Sequence, residues 1–333
     1  MRGFSLVAAF VLTALASDVR RAEACGACRG AGGAGGAFTA ADERWNATVL
    51  TLGRLEIGSW DWSGRAHREP RDVVSTDATW TLAAAVRVIR PLELAVTAGA
   101  GVAWMRAPGL DAVSGSATDI TVRARYDILA EDPSNVGRPA VAVWNTLRAP
   151  TGSTVAQAAG STAGQIGAFG LGAWELAWGA DIRRTFARRW QPFIAVEGAW
   201  RAPDSITGVA RSLGPRFAAR GGVTWFVDDI YALSFLAEWG IEGDVTLDRH
   251  AIPGSWQERT SLGLAGSAHL ANGWRLALSL ASDLPIDGLG RNADATVRAA
   301  FSIGFSGIES AWRRCPVGPI PAIARRMRGR NDG

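Results

Sequence analysis

Residues 118–129 have the sequence TDITVRARYDIL, in which polar and apolar side chains alternate from Asp119 to Ile128. Ile120, Val122 and Tyr126 fall on one face of an extended chain, whereas Arg123 and Arg125 fall on the other. A period of two residues is typical of a β-strand whose two faces meet different environments. One face is apolar and the other is ionic, and this pattern recurs throughout residues 44–306.

The alternation predicts about twelve strands, most of them long enough to cross a bilayer at a tilt, which takes roughly 9–11 residues. They are residues 44–59, 73–89, 92–105, 116–129, 138–148, 167–186, 190–202, 214–227, 230–243, 255–270, 273–284 and 293–306. Their connections alternate between short turns, such as Arg90-Pro91, and long polar loops, such as residues 150–164. Short turns on one rim and long loops on the other are typical of outer-membrane barrels. We therefore predict an all-β fold, a transmembrane antiparallel up-and-down β-barrel.

The distribution of tryptophan supports a membrane barrel. The chain has 15 Trp and 2 Tyr, and many of the Trp fall near the ends of predicted strands. These are Trp45, Trp60, Trp62, Trp104, Trp190, Trp200, Trp239, Trp256 and Trp274. Aromatic girdles at the two interfaces of a bilayer require this placement, whereas a soluble core does not.

The N-terminus predicts export. Arg2 precedes an apolar run over residues 4–16, and small residues offer cleavage sites after Ala16 or Ala24. The run is too short for a spanning helix, and no later stretch approaches the roughly 20 apolar residues that such a helix needs. The predicted organisation is a signal peptide (1–24), a Gly/Ala-rich periplasmic lead-in (25–43), a transmembrane β-barrel (44–306) and an Arg-rich C-terminal tail (307–333). The predicted location is the outer membrane of a Gram-negative bacterium, with both termini in the periplasm.

Charge argues against a nucleic-acid-binding protein. All 35 basic residues are Arg, against 31 acidic residues, which gives a formal net charge of +4. The excess lies at the ends of the chain, above all in residues 309–333, and the body is close to neutral. A basic binding face is therefore not expected.

Cysteine and histidine indicate no cofactor. Cys25 and Cys28 form a CxxC that can close a disulfide after export, but Arg29 stands where a c-type haem site needs His. His67, His250 and His269 lack the spacing of metal ligands. We expect neither a cofactor nor a metal.

Enzymatic activity is also not expected. The Gly/Ala run over residues 26–37 follows no strand and precedes no helical segment, so it fails the context of a dinucleotide-binding loop. Outer-membrane phospholipases use barrels of similar size with a Ser/His pair, but their HxSNG-like run is missing here.

The remaining constellation is a set of charged residues that share the non-lipid face. It consists of Arg54, Glu56, Arg87, Arg123, Arg125, Asp127, Glu175, Asp181, Arg183, Glu197, Arg201, Arg216, Arg220, Glu238, Glu242, Arg259, Asp283 and Arg298. Charges at membrane depth normally face water or one another. Two interpretations stand beside each other: a paired ionic ladder that plugs the barrel, or a selectivity path set by rings of charge.

Two segments resemble a known family. Residues 117–126 (ATDITVRARY) and 147–152 (LRAPTG), with residues 186–193 as a weaker echo, are similar to the outer-membrane transporter family linked to the meta pathway of phenol degradation. Arg148 replaces the usual Lys, and the chain continues past Phe305, where such barrels commonly end on an aromatic residue. The resemblance implies uptake of hydrophobic or aromatic compounds.

The functional expectation is a channel for passive uptake of small solutes, some of them hydrophobic or aromatic, through an Arg/Glu-lined lumen. Its expected partners are outer-membrane lipid and a small-molecule solute. The alternative is a non-conducting structural or adhesive barrel that binds a partner through its long loops.

Overall fold

The computed structural model describes residues 43–70, 72–130, 138–153, 169–187, 189–206, 208–228, 230–270 and 273–308. The predicted signal peptide, the CxxC of Cys25 and Cys28, nearly all of the lead-in and nearly all of the tail lie outside the described residues. Glu43, assigned to the lead-in, and Gly307, assigned to the tail, belong to barrel strands.

Twelve long strands form one closed barrel. They are β1 (Glu43–Trp60), β2 (Val74–Ile89), β3 (Leu92–Ala107), β4 (Ile120–Leu129), β5 (Ala140–Ala149), β6 (Glu175–Arg183), β7 (Trp190–Arg201), β8 (Arg216–Phe226), β9 (Tyr231–Glu242), β10 (Gln257–His269), β11 (Trp274–Asp283) and β12 (Ala293–Ile308). Each strand pairs antiparallel with its neighbours in the chain, and β12 pairs with β1, which closes the ladder. The predicted 12-strand antiparallel barrel is confirmed.

Two strands differ from their predicted limits by more than two residues. The alternation over residues 116–129 belongs to two elements, because Leu110–Ala117 turns back onto the end of β3 and β4 begins at Ile120. The segment predicted over residues 167–186 is a strand only from Glu175 to Arg183. Gly172, with a φ of 79°, lies just before it in a conformation that interrupts a strand.

The outer face of the barrel is apolar. In β4, Val122 and Ile128 expose 49% and 54% of their surface, whereas Arg125 exposes 8%. A soluble sheet would show the reverse, because exposed apolar area costs roughly 25 cal/mol per Å² in water. Hydrocarbon removes this cost and requires every backbone hydrogen bond to be made within the protein, which a closed ladder achieves. The barrel is therefore built for a bilayer.

Aromatic side chains mark both rims. At the end that carries the barrel's termini, Trp274 and Trp45 pack against Phe305, with ring centroids 5.1 and 5.6 Å apart. At the opposite end, Phe217 packs on Trp239 at 5.9 Å, and Trp200 exposes 54% of its surface. These side chains form the two predicted interfacial girdles.

The connections differ between the two ends. Short turns lie at the terminal end, such as Arg90-Pro91 between β2 and β3. Longer connections join the strands at the opposite, loop end; they comprise residues 61–73, 108–119, 150–174, 202–215, 243–256 and 284–292, of which 71, 154–168 and 207 are not described. Among the described residues, no helix has the length and apolar character needed to cross a membrane.

Some of the long loops contain short strands. Asp204–Ile206, Val209–Ser212, Thr246–Leu247 and His250–Ala251 form a separate four-stranded sheet built from two loops. Ala66–Arg68 pairs with β1, and Gly290–Arg291 pairs with β10. The loop end is therefore a structured surface.

The seam where β1 meets β12 is fastened at the loop end by a clasp between residues 60–68 and 284–292. Trp60 is 3% exposed, and its Nε1 donates to the carbonyl oxygen of Ile286 at 2.9 Å. The backbone N–H of Ala66 donates to Asp287 Oδ1 at 2.7 Å. The prediction that Trp60 belongs to a girdle is therefore wrong: its ring lies over Gly290, where a Cβ would come within 2.4 Å.

Asp61 organises the first half of this clasp. Its Oδ1 accepts hydrogen bonds from the backbone N–H groups of Ser63 and Arg65, at 2.8 and 3.0 Å, and its Oδ2 lies 3.1 Å from His67 Nε2. Hydrogen bonds from Ser63, Arg65 and His67 hold the pKa of the Asp61 carboxyl well below its usual value. The carboxylate is thus the hub of the turn.

Candidate functional site in the barrel lumen

The charged residues predicted for the non-lipid face all lie on one face of the observed sheet. Contacts between strands that are not neighbours show which face this is. Arg125 on β4 reaches Asp181 on β6 at 2.7 Å, and Arg201 on β7 reaches Glu242 on β9 at 2.7 Å. Side chains two strands apart meet on the concave side of a barrel, so these charges point into the lumen.

A first group, the terminal cluster, consists of Arg87, Glu93, Arg125, Asp127 and Asp181 and lies toward the terminal end. Arg125 donates to Asp181 through two nitrogens, at 2.7 and 3.3 Å, and its Nε lies 3.2 Å from Asp127. Arg87 holds the other oxygen of Asp127 at 2.8 Å. The side chains of Arg87 and Glu93 expose 4% and 2% of their surface. Buried charges of this kind persist because they are paired.

A second group, the loop-side cluster, consists of Glu175, Glu197, Arg201, Arg216 and Glu242. Glu175 accepts from Arg201 Nε at 2.9 Å and from Arg216 at 3.2 Å, and Arg216 also donates to Glu197 at 2.6 Å. Signs alternate from residue to residue, so the cluster is a ladder of ion pairs that crosses β6 to β9.

Arg123 lies between the two clusters. Its Nε donates to Thr146 Oγ1 at 3.0 Å, and its guanidinium lies 6.0 Å from the Trp144 ring. Arg220, on the inner face of β8, interacts electrostatically with Arg123. Arg220 and Glu238 stand directly opposite each other on β8 and β9. These charges complete a stripe between the clusters.

The opposite wall contains fewer charges and a cavity. Arg54 Nε contacts both oxygens of Asp77 at 2.9 Å, and Arg298 contacts Asp283 at 3.1 Å. Above these pairs, at the loop end, lies a cavity of about 280 Å³. This mouth cavity is lined by the charged side chains of Arg54, Glu56, Asp77, Arg259 and Asp294, together with neutral polar groups.

The last predicted residue, Arg183, stands on the inner face at the end of β6, opposite Phe193 on β7. Accessibility differs along the barrel axis. Inner residues near the terminal end, such as Gln191 and Thr224, are 1% and 0% exposed, whereas Arg54 keeps 42% of its side chain exposed. The accessible part of the lumen therefore includes the wall beside Arg54, toward the loop end of β1.

Aromatic side chains inside the barrel lie flat over glycines. Trp144 covers Gly179, where a Cβ would come within 2.2 Å of the indole, and its Nε1 donates to Glu197 at 3.0 Å. Phe193 covers Gly222, and Phe169 covers Gly101, in the same manner. Large rings thereby stay against the wall and occupy little of the lumen.

Sequence reasoning missed several members of the site. Asp77, Glu93, Asp294 and Trp144 all lie on the inner face and were absent from the predicted set. Each of the four follows the alternation of its strand, and this alternation is the signal that could have identified it. Among the described residues, no group of three His, Cys, Asp or Glu side chains is placed to hold a metal ion.

The residues that carry the family resemblance meet at the loop end. Asp119 accepts from the backbone N–H of Gly152 at 3.0 Å and of Leu171 at 2.7 Å. Thr151 Oγ1 accepts from the N–H of Ile120 at 2.9 Å. The motif therefore has a structural role, because it fixes the loop after β5 to the start of β4.

Comparisons with known proteins support the fold through structure alone. No family model and no curated protein sequence matches this chain. The crystal structure of an outer membrane channel from Pseudomonas putida F1 is similar with a TM-score of 0.64 at 14% sequence identity, covering 80% of this chain and 96% of that one. The NanC porin matches with a TM-score of 0.45 at 10% identity, over 78% of this chain and 98% of that one. The β domain of the Bordetella autotransporter BrkA matches with a TM-score of 0.45 at 13% identity, over 80% and 100%.

At these identities the likeness shows the fold. Location follows from this fold and from the apolar exterior, because a closed barrel with an apolar outer band belongs in an outer membrane. The chain has the fold of an outer-membrane β-barrel, with a lumen lined by arginine and carboxylate side chains.

Proposed function

We propose that this protein is a passive outer-membrane channel that lets small solutes cross through its charged lumen, without a cofactor or catalytic turnover. The observation that supports this most is the mouth cavity, a solvent-accessible polar space inside the closed barrel. A barrel that serves only as an anchor does not need such a space. A sheet of twelve strands also encloses more than the roughly eight whose side chains fill the interior.

The lumen is asymmetric, and this asymmetry favours passage along one side. The ion pairs of the two clusters line β2 to β9, whereas the inner face of β10 to β12 includes small side chains such as Gly263, Ser279 and Ser302. Solutes would move beside the small residues while facing the charges. Charged rings at membrane depth set the selectivity of such paths.

The proposed solutes include small aromatic or hydrophobic compounds. This part of the proposal rests on the sequence resemblance to transporters linked to phenol degradation. Phe193 and Trp144 on the inner wall are compatible with it, because both sit in the lumen among charged groups.

Conductance of the refolded protein in planar bilayers tests the proposal. We expect ion currents, and replacing Arg123 with Gln should shift the reversal potential toward greater cation selectivity. The Arg106→Gln variant is the control, because Arg106 lies outside the lumen and is 74% exposed. Equal shifts in both variants would rule out Arg123 as a lumen determinant.

The alternative function is an adhesive barrel without conductance. The four-stranded sheet at the loop end favours it, because a structured surface can bind a partner. Absence of current in the wild type and in every variant, with the barrel folded, would make this the better interpretation.

A further inference from the structure

The mouth cavity combines uncompensated charges of both signs. Arg54 is neutralised by Asp77, at 2.9 Å. Among the described residues, Glu56 and Asp294 have no arginine within 4 Å, and Arg259 has no carboxylate within that distance. Glu56 interacts electrostatically with Asp294, a second carboxylate, and is hydrogen-bonded to the Ser75 side chain.

The positions of these charges follow from the strand order. Glu56 on β1 and Asp294 on β12 lie along the seam, since Glu56 pairs with Thr296 and Ser59 pairs with Asp294. Arg259 on β10 pairs with Gly290, so the short strand Gly290–Arg291 lies between the acidic side and Arg259. Strands are about 4.8 Å apart, which places the β12 and β10 backbones roughly 10 Å from each other. The side chains of both signs reach into the space between.

The size of the cavity limits what it can hold. A volume of about 280 Å³ is slightly below the range of roughly 300–1,000 Å³ typical of pockets for drug-sized ligands. It equals roughly nine water molecules at 30 Å³ each. A solute of about ten non-hydrogen atoms would fill it.

We propose that the mouth cavity binds a small zwitterionic amino carboxylate, with its ammonium group beside Glu56 and Asp294 and its carboxylate at Arg259. The inference rests on the proposed channel function and names a class of solute for its entrance. Moving a charged group out of water is costly unless the site supplies a partner, and this cavity supplies one for each end of a zwitterion.

Single-charge solutes fit less well. An amine would be attracted to the acidic side but would share the cavity with Arg259, whereas a carboxylate would meet Glu56 and Asp294. Because the lining carries three carboxylates and two arginines, a cation is the second-best ligand and an anion is the worst. The expected order of affinity is zwitterion, cation, anion.

Three probes with the same carbon chain test this order: γ-aminobutyrate, n-butylamine and n-butyrate. Binding is measured by isothermal calorimetry on the detergent-solubilised full-length protein and, in parallel, as block of ion current in planar bilayers. We expect γ-aminobutyrate to bind at least tenfold more tightly than either other probe.

Charge variants assign each end of the ligand. Arg259→Gln should weaken γ-aminobutyrate at least tenfold while leaving n-butylamine unchanged or tighter. Asp294→Asn should weaken both γ-aminobutyrate and n-butylamine. Arg106→Gln, which removes a positive charge outside the lumen, should change neither.

Equal affinity for the three probes, or variants that do not change the order, would overturn the inference. Current without selective binding would overturn it while leaving the channel in place. Selective binding without current would support the binding site and overturn the channel function, because the cavity would then belong to a barrel that does not conduct.

Discussion

The ion pair between Arg125 and Asp181 predicts a large loss of stability when Arg125 is replaced by Gln. Arg125 donates to Asp181 at 2.7 and 3.3 Å, and the two side chains expose 9% and 13% of their surface. Asp127 keeps Arg87 at 2.8 Å after the substitution, so the uncompensated charge falls on Asp181. Removing one partner of a buried pair costs about 3–5 kcal/mol. Because the lumen admits some water, we expect about 3 kcal/mol.

A double-mutant cycle separates the pair from other effects. Asp181→Asn alone should also destabilise the barrel, because it removes the carboxylate that Arg125 contacts through two nitrogens. In the double variant Arg125→Gln/Asp181→Asn, two neutral amides replace the ions, and the cost should fall to about 1 kcal/mol. Because Asp181→Asn adds its own cost to the sum of the single variants, the coupling should exceed about 2 kcal/mol, toward the upper end of the range of about 0.5–3 kcal/mol measured for contacting residues. Urea unfolding in lipid vesicles, followed by tryptophan fluorescence, measures each free energy.

The exposed pair Arg106–Asp111 supplies the matched control. Its side chains are 74% and 69% exposed, at a separation of 3.4 Å. Exposed pairs contribute about 1 kcal/mol or less, so Arg106→Gln should have little effect. A cost for Arg125→Gln no larger than that for Arg106→Gln, together with zero coupling, would refute the assignment of the terminal cluster as a buried ionic network.

Three further predictions follow from the outer face, the glycine contacts and the clasp. Val122 is 49% exposed on the apolar outer face, so Val122→Arg places a charge against hydrocarbon. The variant should oppose folding by roughly 2–4 kcal/mol near the bilayer midplane. Loss of heat-modifiable migration on gels would show this. Gly179→Ala should destabilise the barrel because the new Cβ would come within 2.2 Å of the Trp144 ring. Gly221→Ala should not, because the atom nearest to its new Cβ lies 3.6 Å away. The same urea titration compares the two variants. Because the pKa of Asp61 is lowered in the folded state, its contribution to the clasp is present above the usual Asp pKa and disappears as the pH falls through the lowered value. The rate at which a protease cleaves residues 61–68 of the wild type should therefore differ little between pH 7 and pH 5. Asp61→Ala should accelerate this cleavage at both pH values. Faster cleavage of the wild type at pH 5 than at pH 7 would contradict the prediction.

The sequence predicted the barrel because alternation is a local property. Arg123 and its neighbour Val122 can be assigned to opposite faces of a strand from the sequence alone, without knowing which strands pair with it. The same holds for Glu175 and Trp174. The predicted limits of a strand were wrong where the alternation continued across a turn in the chain. Ser116 and Ala117 continue the alternation of β4 in the sequence, but they belong to the strand Leu110–Ala117, and Asp119 and Thr151 fix a turn between the two strands.

Partners within the lumen could not be predicted in the same way. Arg125 contacts Asp181 two strands away, and this depends on the curvature and stagger of the closed sheet, which no local pattern encodes. The burial of Trp60 has a similar cause, because its glycine partner, Gly290, is distant in the chain. The mouth cavity likewise arises where β1 and β12 meet.

The clasped seam also governs the order in which the barrel can assemble. Eleven of the twelve strand pairings join neighbours in the chain, and hairpins of this kind form early because little loop entropy opposes them. The remaining pairing, Glu43–Trp60 with Ala293–Ile308, joins segments from the two ends of the barrel sequence. Until β12 arrives, the sheet has two unpaired edges that hydrocarbon cannot accommodate. Membrane entry and closure must therefore be coupled events, completed when β12 pairs with β1.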